Sequence, residues 1–213
     1  MKRAELKKQF DAALRAMPAV AILRGITVAE VPEVCRILAE NGINLLEIPL
    51  NTPDAFSCIS EAVRCAVPGQ LVGAGTVLTP EEAEKVSAAG GRFIISPNVD
   101  SEVIRRTVEL GMLSCPGCFT ATECLAAQKA GADCIKLFPS GSIGAGYIKD
   151  LQAVVKMPFI AVGGVNSGNM AEFLKVCSGV GIGSALYKPG KSMADIRRDA
   201  ESLRNAAGQQ RIF

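Results

Sequence analysis

The sequence contains no histidine, and this absence limits the metal chemistry that the chain can support. Cys115 and Cys118 have the Cys-x-x-Cys spacing of a zinc half-site or a redox motif. No second pair with this spacing and no imidazole is available to complete a tetrahedral set of ligands. We therefore expect no metal site, and we interpret residues 115–118 as a turn at the end of a strand.

The sequence also lacks a large excess of charge of either sign. The chain has 23 lysines and arginines against 21 aspartates and glutamates, which leaves a net charge of +2, and it has no long basic block. Nucleic acids and membrane surfaces attract proteins that carry a large positive field. The balance of charge therefore argues against both partners and favours small-molecule chemistry.

Long apolar runs are lacking as well. The run Ala19–Leu23 follows an amphipathic stretch over residues 1–17, and it is too short for a signal sequence or a membrane span. The eight cysteines are scattered without the spacing of a disulfide framework, so we expect reduced thiols that serve as small hydrophobic side chains. Both observations predict a cytoplasmic protein.

What the sequence does contain is a regular alternation of short apolar runs and helical patterns, within a length that suits a single domain over residues 1–213. Threonine-x-x-glutamate capping boxes at Thr27, Thr79 and Thr120 mark helix starts. The pattern predicts an α/β fold, a (β/α)8 TIM barrel with an N-terminal helix. An open doubly wound sheet is the rival, but it would need fewer strands and a phosphate loop after the first one. The eight predicted strands are Val20–Leu23, Leu45–Leu50, Leu71–Ala74, Phe93–Ser96, Met112–Cys115, Asp133–Phe138, Phe159–Val162 and Val180–Gly183.

Strand periodicity predicts which charged side chains point into the barrel. Successive residues of a strand point to opposite faces, and the larger aliphatic residues of each strand are expected to face the helices. This assignment turns Glu47 and Lys136 inward and places Arg24 at the end of the first strand, on the same side as Ile22. Charges near the carboxyl ends of barrel strands belong to active sites more often than to the core.

Lys136 lies inside an apolar strand and has two interpretations. A buried ammonium is costly, so it is either paired with an acid such as Glu47 or kept neutral as a nucleophile. A nucleophilic lysine forms a Schiff base with a carbonyl substrate, and it needs a nearby carboxylate to move protons. Glu47 is the acid that lies within an apolar strand, and the residues alone leave both interpretations open.

Glycine turns follow the seventh and eighth predicted strands. Gly163-Gly164 and Gly183-Ser184 either expose backbone N–H groups at helix N-termini, where barrel enzymes bind phosphate, or are simply tight turns. Arg24 either donates two parallel hydrogen bonds to a carboxylate or phosphate of a ligand, or forms an ion pair with an acidic residue of a helix. Thr76 offers a hydroxyl at the end of the third strand, and residues 140–146 form either a mobile flap or a linker.

These residues together resemble a known family, the 2-dehydro-3-deoxyphosphogluconate/phosphogalactonate aldolases, which are bacterial class I lyases of the Entner-Doudoroff and De Ley-Doudoroff routes. The resemblance implies a barrel that is usually a homotrimer and needs no metal or cofactor. It implies that Lys136 forms the imine with pyruvate or the phosphorylated keto acid and that Glu47 moves the protons. The matching motifs are Leu23-Arg24-Gly25-Ile26, Glu47–Asn51, Gly73–Leu78, Ser96-Pro97-Asn98, Cys115–Cys118, Lys136–Ser140 and Ala161–Val165.

The resemblance also assigns the substrate contacts. It implies that Arg24 and Thr76 hold the carboxylate end and that Pro97 and Phe138 line the pocket. The phosphate would be held by Gly163, Gly164, Gly183 and Ser184.

Two departures point within the family to the galactonate enzymes. The gluconate enzymes typically have an arginine where this chain has Asn51, and a threonine where it has Val162. Loss of the threonine hydroxyl would remove a hydrogen bond to a substrate hydroxyl and relax or reverse the preference at C4. The expected reaction is therefore cleavage of 2-dehydro-3-deoxy-6-phosphogalactonate to pyruvate and D-glyceraldehyde 3-phosphate, with the gluconate epimer as the alternative substrate.

Two further alternatives stay open. One is a phosphosugar isomerase or epimerase, in which Lys136 acts only through its charge. The other is a barrel that binds a phosphorylated metabolite without catalysis, in which Lys136 and Glu47 form a structural salt bridge.

Overall fold

The computed structural model describes residues 2–208, and in this range helices and parallel strands alternate along the chain. The strands are β1 Ala19–Ile22, β2 Leu45–Pro49, β3 Leu71–Gly75, β4 Phe93–Ile95, β5 Leu113–Cys115, β6 Gly117–Cys118, β7 Ile135–Leu137, β8 Phe159–Val162 and β9 Gly179–Ile182. The helices are α1 Arg3–Ala16, α2 Val31–Glu40, α3 Ala55–Cys65, α4 Pro80–Ala88, α5 Ser101–Glu109, α6 Ala121–Ala130, α7 Gly144–Leu151, α8 Met170–Leu174 and α9 Met193–Gly208, with a 3-10 turn at Ser140–Ser142.

The sheet closes on itself through one divided strand. Its order is β5-β4-β3-β2-β1-β9-β8-β7-β6, so the two ends of the sheet are β5 and β6, which only Pro116 separates in sequence. Proline has no N–H to donate to a sheet ladder and therefore interrupts it. Asp133 N–H nevertheless reaches the Ser114 carbonyl at 2.8 Å, beside the point where β6 pairs with β7. The fold is thus the predicted eight-stranded barrel, with its fifth strand broken in two.

The predicted strand phase is confirmed. Val20, Ile22 and Leu45 belong to a buried cluster inside the barrel, whereas Leu46 and Ile48 belong to the cluster that lies between strands and helices. The alternate positions of β2 therefore face opposite layers, and the same holds for β7.

The N-terminal helix α1 closes the lower end of the barrel. Leu6, Phe10 and Leu14 lie one helical turn apart and join the interior cluster. The ring centroids of Phe10 and Phe93 lie 5.4 Å apart in an edge-to-face arrangement, which is favourable for aromatic pairs. This plug fills the end of the barrel opposite to the carboxyl ends of the strands, so chemistry is left to the other end.

Two of the three predicted capping boxes are confirmed. Thr79 and Thr120 each accept a hydrogen bond from the N–H three residues on, and the glutamate there accepts from the cap residue in return. At Thr27 the prediction is wrong: its N–H and hydroxyl donate to Glu30, but α2 begins only at Val31. Within residues 2–208, no helix is both long and apolar enough to cross a membrane.

The expectation that all eight cysteines are reduced is wrong at one pair. Cys115 and Cys134 form a disulfide inside the barrel, with their Cα atoms 4.9 Å apart. The two residues end β5 and precede β7, and both side chains point inward where these strands approach each other. Cys118 remains a free buried thiol in β6, so residues 115–118 cross the break in the fifth barrel strand and do not form a turn beyond it.

Candidate active site

Lys136 lies at the centre of β7 with its side chain in the mouth of the barrel, and the residue is 7% exposed. Within residues 2–208 its ammonium forms neither an ion pair nor a hydrogen bond, and its Nζ lies 5.2 Å from the centroid of the Phe138 ring. Burial lowers the pKa of Lys136; the nearby Glu47 carboxylate opposes this shift, and the Arg24 guanidinium adds to it. The absence of a partner within residues 2–208 argues against a structural salt bridge, and burial shifts the amine toward its neutral form.

Glu47 lies on β2 and is more deeply buried, at 2% exposed. Its Oε2 atom has no hydrogen-bond partner in the described part of the chain. Burial raises the pKa of Glu47 to about 7, although Lys136 and Arg24 act in the opposite direction. A carboxyl group that titrates near neutral pH can both accept and return a proton, which is the property required of a proton shuttle.

Glu47 occupies space that Gly75 leaves open. A Cβ atom built on Gly75 would overlap Glu47 Oε1, so only a glycine fits beside this carboxyl group. Gly75 belongs to the Gly73–Leu78 motif. The register of β3 against β2 pairs Gly75 with Pro49, and the side chain of Glu47 passes over it.

Arg24 follows β1 on the exposed rim of the mouth. Its Nη1 donates a hydrogen bond to Asn51 Oδ1, and within residues 2–208 it forms no ion pair. The alternative in which Arg24 pairs with a helix acid is therefore wrong. The loop is held by hydrogen bonds from Leu23 N–H to the Glu47 carbonyl, at 2.8 Å, and from Gly25 N–H to Thr52 Oγ1, at 2.9 Å. The remaining donors of the guanidinium are free for an anion.

Thr76, Pro97 and Phe138 follow β3, β4 and β7 respectively and lie around the same opening. Thr76 has a φ of 57°, a left-handed conformation that is strained for a β-branched residue and that concentrates at functional sites. Phe138 is 46% exposed, and its ring packs beside Gly163. An exposed aromatic ring at the mouth provides an apolar wall next to Lys136.

The two predicted phosphate turns follow β8 and β9. Gly163 and Gly164 have φ values of 93° and 73°, and within residues 2–208 their N–H groups donate to no acceptor. Beside them, Leu186 and Tyr187 both donate N–H to the Gly183 carbonyl at 2.9 Å, which curls the chain around the exposed Ser184. Backbone concavities of this kind bind anions.

The N–H groups of these turns do not belong to helix starts, contrary to the prediction. The helix after Gly164 begins only at Met170, and the helix after Ser184 only at Met193. Residues 140–146 are more regular than a plain linker, because they form a 3-10 turn and the start of α7, and the mobile flap stays a prediction. Val162 is buried at the end of β8, immediately before the first turn.

Glu47 and Lys136 therefore lie within β2 and β7, and the other predicted site residues lie at or just after the carboxyl ends of barrel strands. Three further residues take part in the architecture of the site, and the sequence did not assign them: Gly75 beside Glu47, Asn51 on Arg24, and Ser140 between β7 and β8. All three lie in motifs that carry the family resemblance, namely Gly73–Leu78, Glu47–Asn51 and Lys136–Ser140.

Fold and site together define a TIM-barrel enzyme in which a buried lysine, without an ion pair among residues 2–208, and a buried carboxyl group face one opening. The family model for KDPG and KHG aldolases matches residues 10–199. The chain belongs to the KDPG and KHG aldolase family.

The similar proteins include galactonate and gluconate enzymes. A probable 2-dehydro-3-deoxy-6-phosphogalactonate aldolase of Rhizobium meliloti is 45% identical over 86% of this chain and 88% of its own length. The solved structure described as native KDPGal has a TM-score of 0.88, with 41% identity over 91% of this chain and 96% of that one. A KDPG aldolase of Legionella pneumophila, solved with pyruvate captured as a covalent carbinolamine, has a TM-score of 0.79, with 27% identity over 92% and 95% of the two chains.

Proposed function

We propose that this protein is a class I aldolase that cleaves 2-dehydro-3-deoxy-6-phosphogalactonate to pyruvate and D-glyceraldehyde 3-phosphate. The observation that carries the proposal is the buried amine of Lys136, which has no ion-pair partner in the described part of the chain, in a mouth that also contains Glu47. A desolvated lysine is a nucleophile, and an adjacent carboxyl group near its pKa moves protons. The reaction needs no metal or cofactor, because the iminium ion takes up the electron pair.

The reaction proceeds in four steps. The neutral Lys136 amine adds to the C2 carbonyl, and the carbinolamine takes up a proton from Glu47 and loses water to give an iminium ion. Glu47, directly or through a water molecule, then accepts the proton of the C4 hydroxyl while the C3–C4 bond breaks. The electron pair of that bond passes to the iminium ion and forms an enamine, and the aldehyde leaves. Glu47 returns the proton to C3, and water hydrolyses the resulting iminium ion, which releases pyruvate, restores neutral Lys136 and returns the last proton to Glu47.

The substrate contacts follow the positions of the remaining side chains. We assign the carboxylate end to Arg24 and Thr76, since guanidinium and hydroxyl groups match a carboxylate. Pro97 and Phe138 line the middle. The phosphate is assigned to the turns that contain Gly163, Gly164, Gly183 and Ser184, whose exposed N–H and hydroxyl groups are suited to an anion.

The galactonate epimer is favoured by two observations. Val162 presents a methyl group where the gluconate enzymes typically have a hydroxyl. The side chain therefore cannot form a hydrogen bond with a hydroxyl at C4 of the substrate. The named galactonate relative is 45% identical, whereas the gluconate enzyme of Legionella pneumophila is 27% identical. The gluconate epimer remains the alternative substrate.

We further propose that residues 1–213 act as one aldolase domain in a homotrimer. Phe119 and Leu125 are 40% and 47% exposed, and apolar side chains of this size on a surface fit an interface between copies of the chain. Light scattering of the purified protein tests the trimer. A cytoplasmic location fits the substrate, because a phosphate ester is too strongly charged to cross a membrane unaided.

Borohydride trapping with pyruvate tests the chemistry. Reduction of the imine should add an irreversible mass to the peptide that contains Lys136, and Lys136→Ala should abolish it. Lys129→Ala, which changes an exposed lysine on α6, is the matched control and should label as wild type does. A wild-type protein that acquires no mass, or a Lys136→Ala variant that still acquires it, would contradict the imine mechanism and favour an isomerase or epimerase.

The binding-only alternative is tested with Glu47→Gln. A proton shuttle predicts loss of turnover with the fold retained. A purely structural role predicts lower stability with binding of the phosphorylated ligand intact.

A further inference from the structure

Ser140 is fully buried at the mouth of the barrel, and both functions of its hydroxyl are used. Its Oγ donates a hydrogen bond to the Leu137 carbonyl at 2.7 Å and accepts one from Val162 N–H at 3.2 Å. A hydroxyl has one proton to donate and lone pairs that accept. The backbone of two strands therefore uses both the donor and an acceptor function of this side chain.

The hydroxyl links the two strands where their ladder ends. β7 pairs with β8 up to Leu137 and Ala161, and the next position of the chain leads into Phe138-Pro139. Proline has no N–H, so Pro139 cannot donate a further hydrogen bond to β8. Ser140 Oγ connects the Leu137 carbonyl with Val162 N–H at this point, and Gly141 N–H continues the connection by donating to the Gly163 carbonyl at 2.8 Å.

This connection joins the two halves of the proposed site. Lys136 lies on β7 just before the connection, whereas Val162 and Gly163 lie on the other side of it, at the end of β8. The spacing between the imine nitrogen and the turn proposed for phosphate therefore depends on the hydroxyl of Ser140. Misplacement of a bound substrate by about 1 Å can cost roughly a hundredfold in rate.

We propose that Ser140 is a positioning residue that holds the distal half of the substrate, from C4 to the phosphate, in line with the imine at Lys136. It acts through the backbone of Val162 and Gly163 and does not touch the substrate. The inference rests on the proposed aldolase function. It adds a residue that controls the distance between the imine nitrogen and the turn proposed for phosphate.

Pyruvate provides a way to separate positioning from general stability. It occupies only the imine end of the site and makes no use of the turn at Gly163. Ser140→Ala should therefore leave the rate of pyruvate trapping by borohydride within about twofold of wild type, whereas kcat/KM for cleavage of the phosphorylated substrate should fall at least tenfold. A merely structural serine would lower both rates together.

The experiment compares four proteins at a temperature at which each is folded by circular dichroism: wild type, Ser140→Ala, Ser140→Cys and Ser142→Ala. Ser142 is exposed two residues further on, and its variant should match wild type in both assays. The thiol of Ser140→Cys is a weaker donor and acceptor than the hydroxyl. The cleavage rate of this variant should therefore lie between those of wild type and Ser140→Ala. If Ser140→Ala does not fold, Ser140→Cys serves for the same comparison.

Three results overturn the proposal: equal losses in both assays, no loss in either, or a Ser142→Ala variant that loses as much cleavage as Ser140→Ala. Failure of the wild type to trap pyruvate is a different outcome, because it contradicts the aldolase function itself. In that case the proposal for Ser140 falls with it.

Discussion

The carboxyl group of Glu47 lies over the Cα atom of Gly75, in the space that a side chain at position 75 would occupy. β2 and β3 are parallel neighbours, so the glycine is supplied by a different strand from the residue that it accommodates. The position of the proposed proton shuttle is therefore determined by the absence of a side chain on the adjacent strand.

This relationship predicts the effect of Gly75→Ala. The new methyl group should displace the Glu47 side chain, lower kcat roughly a hundredfold through misplacement, and cost about 1–3 kcal/mol of stability through overpacking. In a Glu47→Ala background the methyl group has room, so the same substitution should cost much less stability. Urea denaturation of the four proteins of this cycle measures the coupling; equal costs in the two backgrounds would contradict the steric explanation.

The pKa of Glu47 predicts a pH-dependent stability. Burial raises it from 4.5 to about 7, so between these values the folded protein holds a proton that the unfolded chain has lost. The stabilisation is complete below about pH 4.5 and is lost as the pH rises through about 7. Glu47→Gln removes the titration, so its free energy of unfolding should fall less than that of wild type between pH 5 and 7. If the free energy of unfolding depended on pH in the same way in both proteins, the pKa of Glu47 would not be raised in the folded state.

Val162 is predicted to influence the choice between C4 epimers. Val162→Thr keeps the branched shape and adds a hydroxyl, and one hydrogen bond is worth about 1 kcal/mol, or roughly fivefold in rate. We expect the ratio of kcat/KM values to move toward the gluconate epimer by about this factor. Pyruvate release from each purified epimer measures it. A wild type that strongly prefers the gluconate epimer would overturn the galactonate assignment.

The disulfide between Cys115 and Cys134 predicts a thiol count. Of the eight cysteines, six are free, so denatured protein that has not been reduced should titrate six thiols, and reduced protein eight. The bond closes a loop with a sequence separation of 19 residues, for which loop-closure entropy predicts about 3 kcal/mol of stabilisation. Cys134→Ser should lose that amount, whereas Cys65→Ser, at a half-exposed free thiol, should lose little. Eight titratable thiols without reduction would contradict the bond.

The sequence by itself determined the barrel, its N-terminal helix and the direction of the charged side chains. These features depend on period-two alternation within a strand and on the spacing between strands, both of which are local. Glu47 and Lys136 could therefore be assigned to the interior from their neighbours in β2 and β7 alone, and Arg24 to the rim.

Only the tertiary structure decided how residues on different strands relate to one another. Four features depend on the register between strands: the absence of an ion pair between Lys136 and residues 2–208, the disulfide of Cys115, the space at Gly75 and the bridging hydroxyl of Ser140. That register is set by the packing of the whole barrel, because each strand must bury its two faces against neighbours that are distant in sequence. A local pattern contains no information about such distances.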